Sequence, residues 1–505
     1  MKKMLLPLLI PYLHHRQRQR HQLTKWAFYQ TFLGLPIAPL PHPSSFPASL
    51  SSLPPSRSPS SSSSRCPFLV DSFVQSFVSS TKTIAGHNLE PTPWHPFPPK
   101  PSSLDQESKY SVASKILQCS YLSCGRSTTD NISQHNPPKH DLSKSESCPD
   151  FFKYIHRDLE PWTKSKISAR HIMGAQNFAA FRILIIGGKL YVDLYYACVQ
   201  SRAMFTIWSF LQLLRRYPGK IPDVDLMFDC MDKPTINRTE HASMPLPLFR
   251  YCTTPAHFDI PFPDWSFWGW SEINIQPWEE EFRSIKEGSQ AHSWRKKSPI
   301  AYWKGNPDVA SSIRMALLQC NDTEMWRAQI MRQDWGEAAR GGFKQSKLSD
   351  QCNHQYKIYT EGYAWSVSLK YILACGSVPL IVSPEYLDFF SRGLTPQKNY
   401  LPVQPSDLCL SIKLAVEWGY GHPDMAEAVG RAAQDFIGNL TMDRVYDYMY
   451  HLLVEYSKLL DFRPRQPPSA MEVCVDSVLC FADENQRGFL RKSLAFPSSS
   501  LPCSI

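Results

Sequence analysis

Residues 354–390 read HQYKIYTEGYAWSVSLKYILACGSVPLIVSPEYLDFF, and their order decides the fold. A β-branched and aromatic run comes first. The Glu361-Gly362 pair follows and is read as opening a helix, and a second apolar run spans Val378 to Val382. The same order appears upstream in SPIAYWKGNPDVASSIRMALLQC. There a strand (Ile300–Trp303) and a Gly-containing turn (Lys304–Pro307) lead into a helix carrying Arg314. Repeated strand, loop and helix units argue for an α/β fold with a parallel sheet covered by helices on both faces. Such a unit can aim backbone N–H groups and a cation at a phosphate. The signal is general, because neither GxGxxG nor GxxxxGKS is present.

Further towards the N-terminus, FRILIIGGKLYVDLYY (Phe181–Tyr196) places Gly187-Gly188 between two apolar runs, the pattern of a hairpin. SRAMFTIWSFLQLLRRYPG then spaces apolar residues at i, i+3, i+4 and i+7 and stops at Pro218-Gly219, as a helix does. It leads into IPDVDLMFDCMDKP (Ile221–Pro234), a strand that runs into Asp229 and Asp232. Carboxylates at the end of a strand lie where open α/β sheets hold their ligands. Either could serve a reaction, and either could simply cap a turn.

The segment PDWSFWGWSEINIQPW (Pro263–Trp278) holds four Trp and one Phe. These rings either stack on a sugar or base or fill a domain interface. A polar helix from Glu279 to Lys297 would join two units, and Asp424 to Leu460 reads as helical packing. At the start, CPDFFKYIHRDLEPW (Cys148–Trp162) reads as a short amphipathic helix ended by Pro161.

The first 64 of the 505 residues contain no Asp or Glu, and Ser44 to Ser64 is nearly all Ser and Pro. Such composition cannot bury enough apolar surface to offset chain entropy, so residues 1–145 are expected to be a disordered leader. The formal net charge of +9 owes much to this leader, and no block of Lys and Arg lines one helix face, so a nucleic-acid partner is not expected. Met4 to Leu13, behind Lys2 and Lys3, is too short to span a bilayer. It could form a signal-peptide core or attach the chain to a membrane, and the acid-free leader could equally be a plastid transit peptide. Fourteen cysteines lack the paired CxxC spacing of a zinc site, which favours disulfides. Sequons at Asn131, Asn237, Asn321 and Asn439 add to a secretory reading, Golgi or endoplasmic reticulum.

Seven segments then carry a resemblance: CPDFF, FTIWSFLQLLRRYPG, PDVDLMFDCMDKP, FPDWSFWGW, AYWKGNP, KIYTEGYAWSVS and VYDYMYHLLVEYSKLL. Between Cys148 and Cys480 the chain resembles the plant branch of the Rumi-type protein O-glucosyltransferases, the family that also contains fungal capsule-associated xylosyltransferases. The resemblance implies a GT-B-like fold, two Rossmann-like domains facing across a cleft. Residues 146–297 would form the acceptor-side domain, and residues 298–490 the UDP-sugar-binding domain with C-terminal helices. It implies inverting transfer of glucose or xylose from a UDP-sugar to a hydroxyl of a protein or glycan, with no metal or other cofactor. Asp223 and Asp225 would then only imitate a metal-binding DxD. Asp232 takes the place of the base that accepts the acceptor's proton. Asn306, Arg314 and Tyr363, Ala364, Trp365, Ser366, Val367 and Ser368 take the places of donor contacts, with Arg314 against the diphosphate. Cys352 and Cys375 take the places of a disulfide.

Two positions depart from that pattern. Ser368 stands where animal members have an arginine, so phosphate charge would be met elsewhere, for example by Lys304 or backbone N–H groups. Met231 stands where the close plant pattern has a second acid. These departures motivate an alternative, a catalytically impaired carbohydrate-binding or scaffold protein of the same fold.

Overall fold

The computed structural model describes Cys119, Cys124 and residues 146–505, all within one compact unit. The targeting run, the Ser/Pro-rich stretch and Asn131 lie outside the described residues. Helices α1 (Tyr154–Leu159) and α2 (Ala169–Ala175) precede the hairpin β1 (Phe181–Ile186) and β2 (Lys189–Leu194). Gly187 and Gly188 both have positive φ, 57° and 76°. A two-residue turn matched to strand twist requires that conformation, and glycine adopts it without a Cβ clash. Next come α3 (Arg202–Arg216), β3 (Val224–Phe228), β4 (Leu248–Arg250), β5 (Ile260–Pro261) and α4 (Trp278–Gln290). The first twelve residues of α3 are all buried, as expected of a helix that is apolar on nearly every side.

The second series is β6 (Ser298–Gly305), α5 (Ser312–Leu317), β7 (Ala328–Arg332), α6 (Trp335–Arg340), β8 (His354–Tyr359), α7 (Ser368–Ala374), β9 (Val378–Val382) and β10 (Leu401–Val403). Its strands form a five-stranded, wholly parallel sheet in the order β10-β9-β8-β6-β7. Side chains alternate along it. Tyr356, Ile358, Val378, Leu380 and Val382 join one apolar cluster, while Tyr359 and Ile381 join the other. Helix α7 begins at Ser368 and not at Glu361-Gly362. Residues 361–367 are irregular because their polar groups serve Arg314 and the segment at 385–386, as described below.

The chain then runs through α8 (Leu408–Gly421), α9 (Pro423–Gly438) and α10 (Met442–Ser457) to β11 (Met471–Val473), α11 (Val475–Phe481) and α12 (Glu484–Lys492). Its last part returns to the first sheet, whose order is β11-β2-β1-β3-β4-β5. Strand β11 pairs with β2, and Tyr456 of α10 donates a hydrogen bond to the Asp225 carbonyl at 3.1 Å. The first sheet is mixed: β1, β2, β3 and β11 are antiparallel neighbours, and β3, β4 and β5 run parallel.

Six disulfides brace the described residues. Cys119, Cys124 and Cys148 bind Cys480, Cys474 and Cys503, so three of the bonds fasten the N-terminal part to the C-terminal one. Cys119 and Cys124 fall within the stretch read as leader. The others are Cys198–Cys230, Cys320–Cys409 and Cys352–Cys375. Among the described residues no helix is long and apolar enough to cross a membrane.

The aromatic block lies between the two sheets. Trp265, Phe267, Trp268 and Trp278 are buried, and they pack against Trp365, Phe389, Tyr446 and Tyr371 respectively. These rings are packed in the core and are not exposed for stacking. Two buried ion pairs reinforce the junction. Lys370 Nζ lies 3.0 Å from Asp264, and Arg392 makes two bonds of 2.6 Å to Asp158.

Candidate active site

The site forms where the end of β3 faces the segment between β8 and α7. Asp229, the first residue past β3, is fully buried. Its carboxylate accepts from Arg250 and from the Tyr196 hydroxyl. Arg250 Nε also lies 3.1 Å from Asp259, which accepts from the backbone N–H groups of Thr235 and Ile236 at 3.0 and 2.8 Å. This buried network occupies Asp229 and fixes both ends of the 229–236 loop. Asp229 is therefore part of the floor.

Asp232 projects from that loop with 23% of its side chain exposed. One carboxylate oxygen accepts from Arg202 Nη1 at 2.7 Å. Arg202 stands at the start of α3, and its guanidinium lies 4.3 Å over the Trp265 ring. Its Nη1 also donates to the Cys230 carbonyl at 3.2 Å, while Cys230 is bonded to Cys198 just ahead of α3. The Cys252 thiol donates to the Asp232 carbonyl at 3.1 Å, and burial pushes that thiol well above its ordinary pKa. The carboxylate is thus oriented from one side and open on the other.

Opposite, Arg314 is buried on α5. Its guanidinium donates to the carbonyls of Glu361 (3.0 Å), Asn306 (2.8 Å) and Thr360 (3.4 Å) and to the Ser366 hydroxyl (3.2 Å). Among the described residues it has no hydrogen bond to a carboxylate, and burial pushes its pKa down to about 10, opposed by the through-space charges of Tyr359 and Asp232. Gly362 crosses the guanidinium so closely that a Cβ there would lie 3.3 Å from Nη2. Ser366 and Ser368 share a hydroxyl–hydroxyl bond of 2.9 Å. Glu361 turns its carboxylate away to accept from the N–H groups of Glu385 and Tyr386, at 2.9 and 2.7 Å.

The residues named from the resemblance separate into two groups. Arg314, Ser366 and Ser368 are linked by hydrogen bonds, and Tyr363 lies under Lys233, the residue after Asp232. Ala364 and Trp365 are buried, with Trp365 packed on Tyr251 and Trp265, and Val367 precedes α7. The Asn306 side chain closes its own turn by accepting from Asp308 N at 2.8 Å. Lys304 donates to the Gln345 carbonyl at 2.8 Å, so its ammonium is already engaged. Asp225 is held by Arg182 through bonds of 2.7 and 2.5 Å, and Asp223 accepts from Gly187 N at 2.8 Å. Arg202 escaped the sequence reading. Its signal was an arginine opening a helix that is otherwise apolar on nearly every face.

Residues 143–505 match the family described as Glycosyl transferase family 90. The chain belongs to that family. Among curated relatives, the O-glucosyltransferase rumi homolog of Aedes aegypti is 27% identical over 265 residues, 50% of this chain and 66% of the relative. Human Protein O-glucosyltransferase 1 is 27% identical over 257 residues, 48% of this chain and 64% of the relative. The Drosophila melanogaster O-glucosyltransferase rumi is 23% identical over 331 residues, covering 63% and 79%. The chain thus spans just under two thirds of the first two relatives. This family 90 member carries, on facing segments, a partly exposed carboxylate, Asp232, and a buried cation, Arg314, that among the described residues has no carboxylate hydrogen-bond partner.

Proposed function

We propose that the protein is an inverting glycosyltransferase of GT-B plan. It moves glucose or xylose from a UDP-sugar to a hydroxyl of a protein or glycan and needs no metal. The observation that carries this reading is the facing pair: Asp232, held open by Arg202, and Arg314, buried among neutral acceptors. A hydroxyl must lose its proton as it attacks, and an ionised carboxylate within reach can take it. The acceptor oxygen bonds to the anomeric carbon, its proton passes to Asp232, and the bond from that carbon to the β-phosphate oxygen breaks. The bonding pair leaves with UDP. Preorganised positive charge on the far side stabilises that departure.

The family and the relatives' names support a sugar donor and a protein acceptor. Six disulfides support an oxidising compartment, the lumen of the endoplasmic reticulum or Golgi. The test is hydrolysis of a UDP-sugar panel by the full chain from a secretory host, beside Asp232→Asn. UDP release from one sugar, reduced about a hundredfold to ten-thousandfold in the variant, is expected. Full activity in Asp232→Asn would overturn the base assignment. Met231 and Ser368 favour the second reading, a binding or scaffold protein, which predicts UDP-sugar binding with no turnover.

A further inference from the structure

We propose that Lys233 is the movable cation that meets the diphosphate of the donor. This rests on the donor being a nucleoside diphosphate sugar, as argued above. A diphosphate brings concentrated negative charge, and the cation assigned to it by resemblance is largely committed. Arginine has five N–H donors, and four hydrogen bonds from Arg314 already end on Glu361, Asn306, Thr360 and Ser366. Arg314 therefore serves as a keystone that holds the 361–366 loop to the turn after β6. Lys304, the other cation named from sequence, is tied to Gln345.

Lys233 differs from both. It is exposed, and among the described residues its ammonium has no hydrogen bond or ion pair. It lies over the Tyr363 ring, 4.2 Å from Nζ to the centroid. Tyr363 belongs to the loop that Arg314 supports, so the charge already hangs over the donor side of the gap. The backbone of Lys233 is fixed from both directions, by Arg202 on Asp232 and by Asp259 on Thr235 and Ile236. Only its four-carbon stem is free to move. An exposed cation–π contact is weak and exchanges readily for a charged phosphate oxygen. In the transfer Lys233 neither takes nor gives a proton. Asp232 receives the acceptor's proton, and Lys233 offsets the charge that remains on the β-phosphate oxygen once the glycosyl bond breaks. One loop would then carry the base and, at the next residue, the cation for the leaving group.

The test is calorimetric binding of UDP, UMP and uridine to the full chain, as wild type, Lys233→Met and Lys233→Arg. Lys233→Met should weaken UDP about tenfold and leave uridine unchanged, so that the preference for UDP over UMP shrinks. Lys233→Arg should restore most of that preference, which a merely structural role would not predict. An unchanged UDP-to-UMP ratio in Lys233→Met, with or without a changed acceptor KM, overturns the proposal while leaving the transferase reading intact. If the wild type does not bind UDP at all, the donor assignment fails and this inference fails with it.

Discussion

Around the first sheet three arginines are paired with carboxylates: Arg182 with Asp225, Arg250 with Asp229 and Asp259, Arg202 with Asp232. Around the second sheet three other buried cations face neutral atoms. Arg314 ends on three carbonyls and a hydroxyl, Lys357 donates to the Gln351 side chain at 2.9 Å, and Lys297 donates to the Cys375 carbonyl at 3.0 Å. Burial pushes Lys357 down to about 7 and Lys297 to about 8. Burying a charge is unfavourable unless something offsets it, so the two sheets do different work. The first pairs its arginines with carboxylates and leaves one of those carboxylates, Asp232, partly exposed. The second holds cations that burial pushes towards neutrality, so that Arg314, lowered only to about 10, is the one of the three that stays fully charged at neutral pH.

The largest effect that separates these two modes should come from the junction. Lys370 is buried against Asp264, a carboxylate from the first sheet's side, and also donates to Ser266 at 2.8 Å. Lys370→Met leaves that carboxylate buried without its cation and should destabilise the fold by about 3–5 kcal/mol. Adding Asp264→Asn should recover part of the loss. Lys297→Met removes a buried lysine whose hydrogen-bond partners among the described residues are a hydroxyl and a carbonyl, and should cost about 1 kcal/mol. Denaturant unfolding of these variants checks the contrast. Equal losses for the two lysines would break it.

A smaller effect is expected at Arg202, whose work is to aim Asp232. Arg202→Met should lower kcat roughly tenfold to a hundredfold, within the span general-base catalysis supplies, while donor KM stays near that of the wild type. Arg202→Lys keeps a charge near the carboxylate but loses the planar fork, so it should restore activity only in part. A loss confined to KM would mean that Arg202 contacts substrate and does not position the base.

The β1–β2 hairpin is plain because Gly187-Gly188 is local turn chemistry, and the β8–α7–β9 unit because an aromatic and β-branched stretch is followed by the apolar run Val378–Val382. Strands β4, β5 and β11 are three residues long or shorter, and their pairing is set by distant neighbours that no local pattern encodes. The return of residues 442–505 to the first sheet is hidden for the same reason. Asp232 and Arg314 could be named from motifs. Arg202 meets its carboxylate from thirty residues away, and Lys233 meets Tyr363 from the other sheet's loop, contacts that exist only after folding.

The smallest effect concerns pH and the loop that separates the two charge regimes. Burial raises the Glu361 carboxyl to about 7 although two backbone N–H groups oppose the shift. A carboxyl whose folded pKa is raised binds its proton more tightly in the native state, so stability is full below about 4.5 and falls as pH rises through 7. Asp388, raised to about 6 by burial, acts with the same sign over a lower range. Glu361→Gln keeps an oxygen to accept from Glu385 and Tyr386 but cannot ionise. The variant should therefore lose less stability than wild type between about pH 5 and 7, by at most about 1.4 kcal/mol per pH unit. Because the Glu361 carbonyl also holds Arg314, ionisation should loosen the donor loop before the whole fold, and hydrogen exchange at residues 361–367 should quicken with pH beyond its intrinsic rate in wild type only. Identical profiles for the two proteins would show that Glu361 is already ionised in the native state, which would place a carboxylate among the neutral partners of the second sheet and weaken the contrast between the sheets.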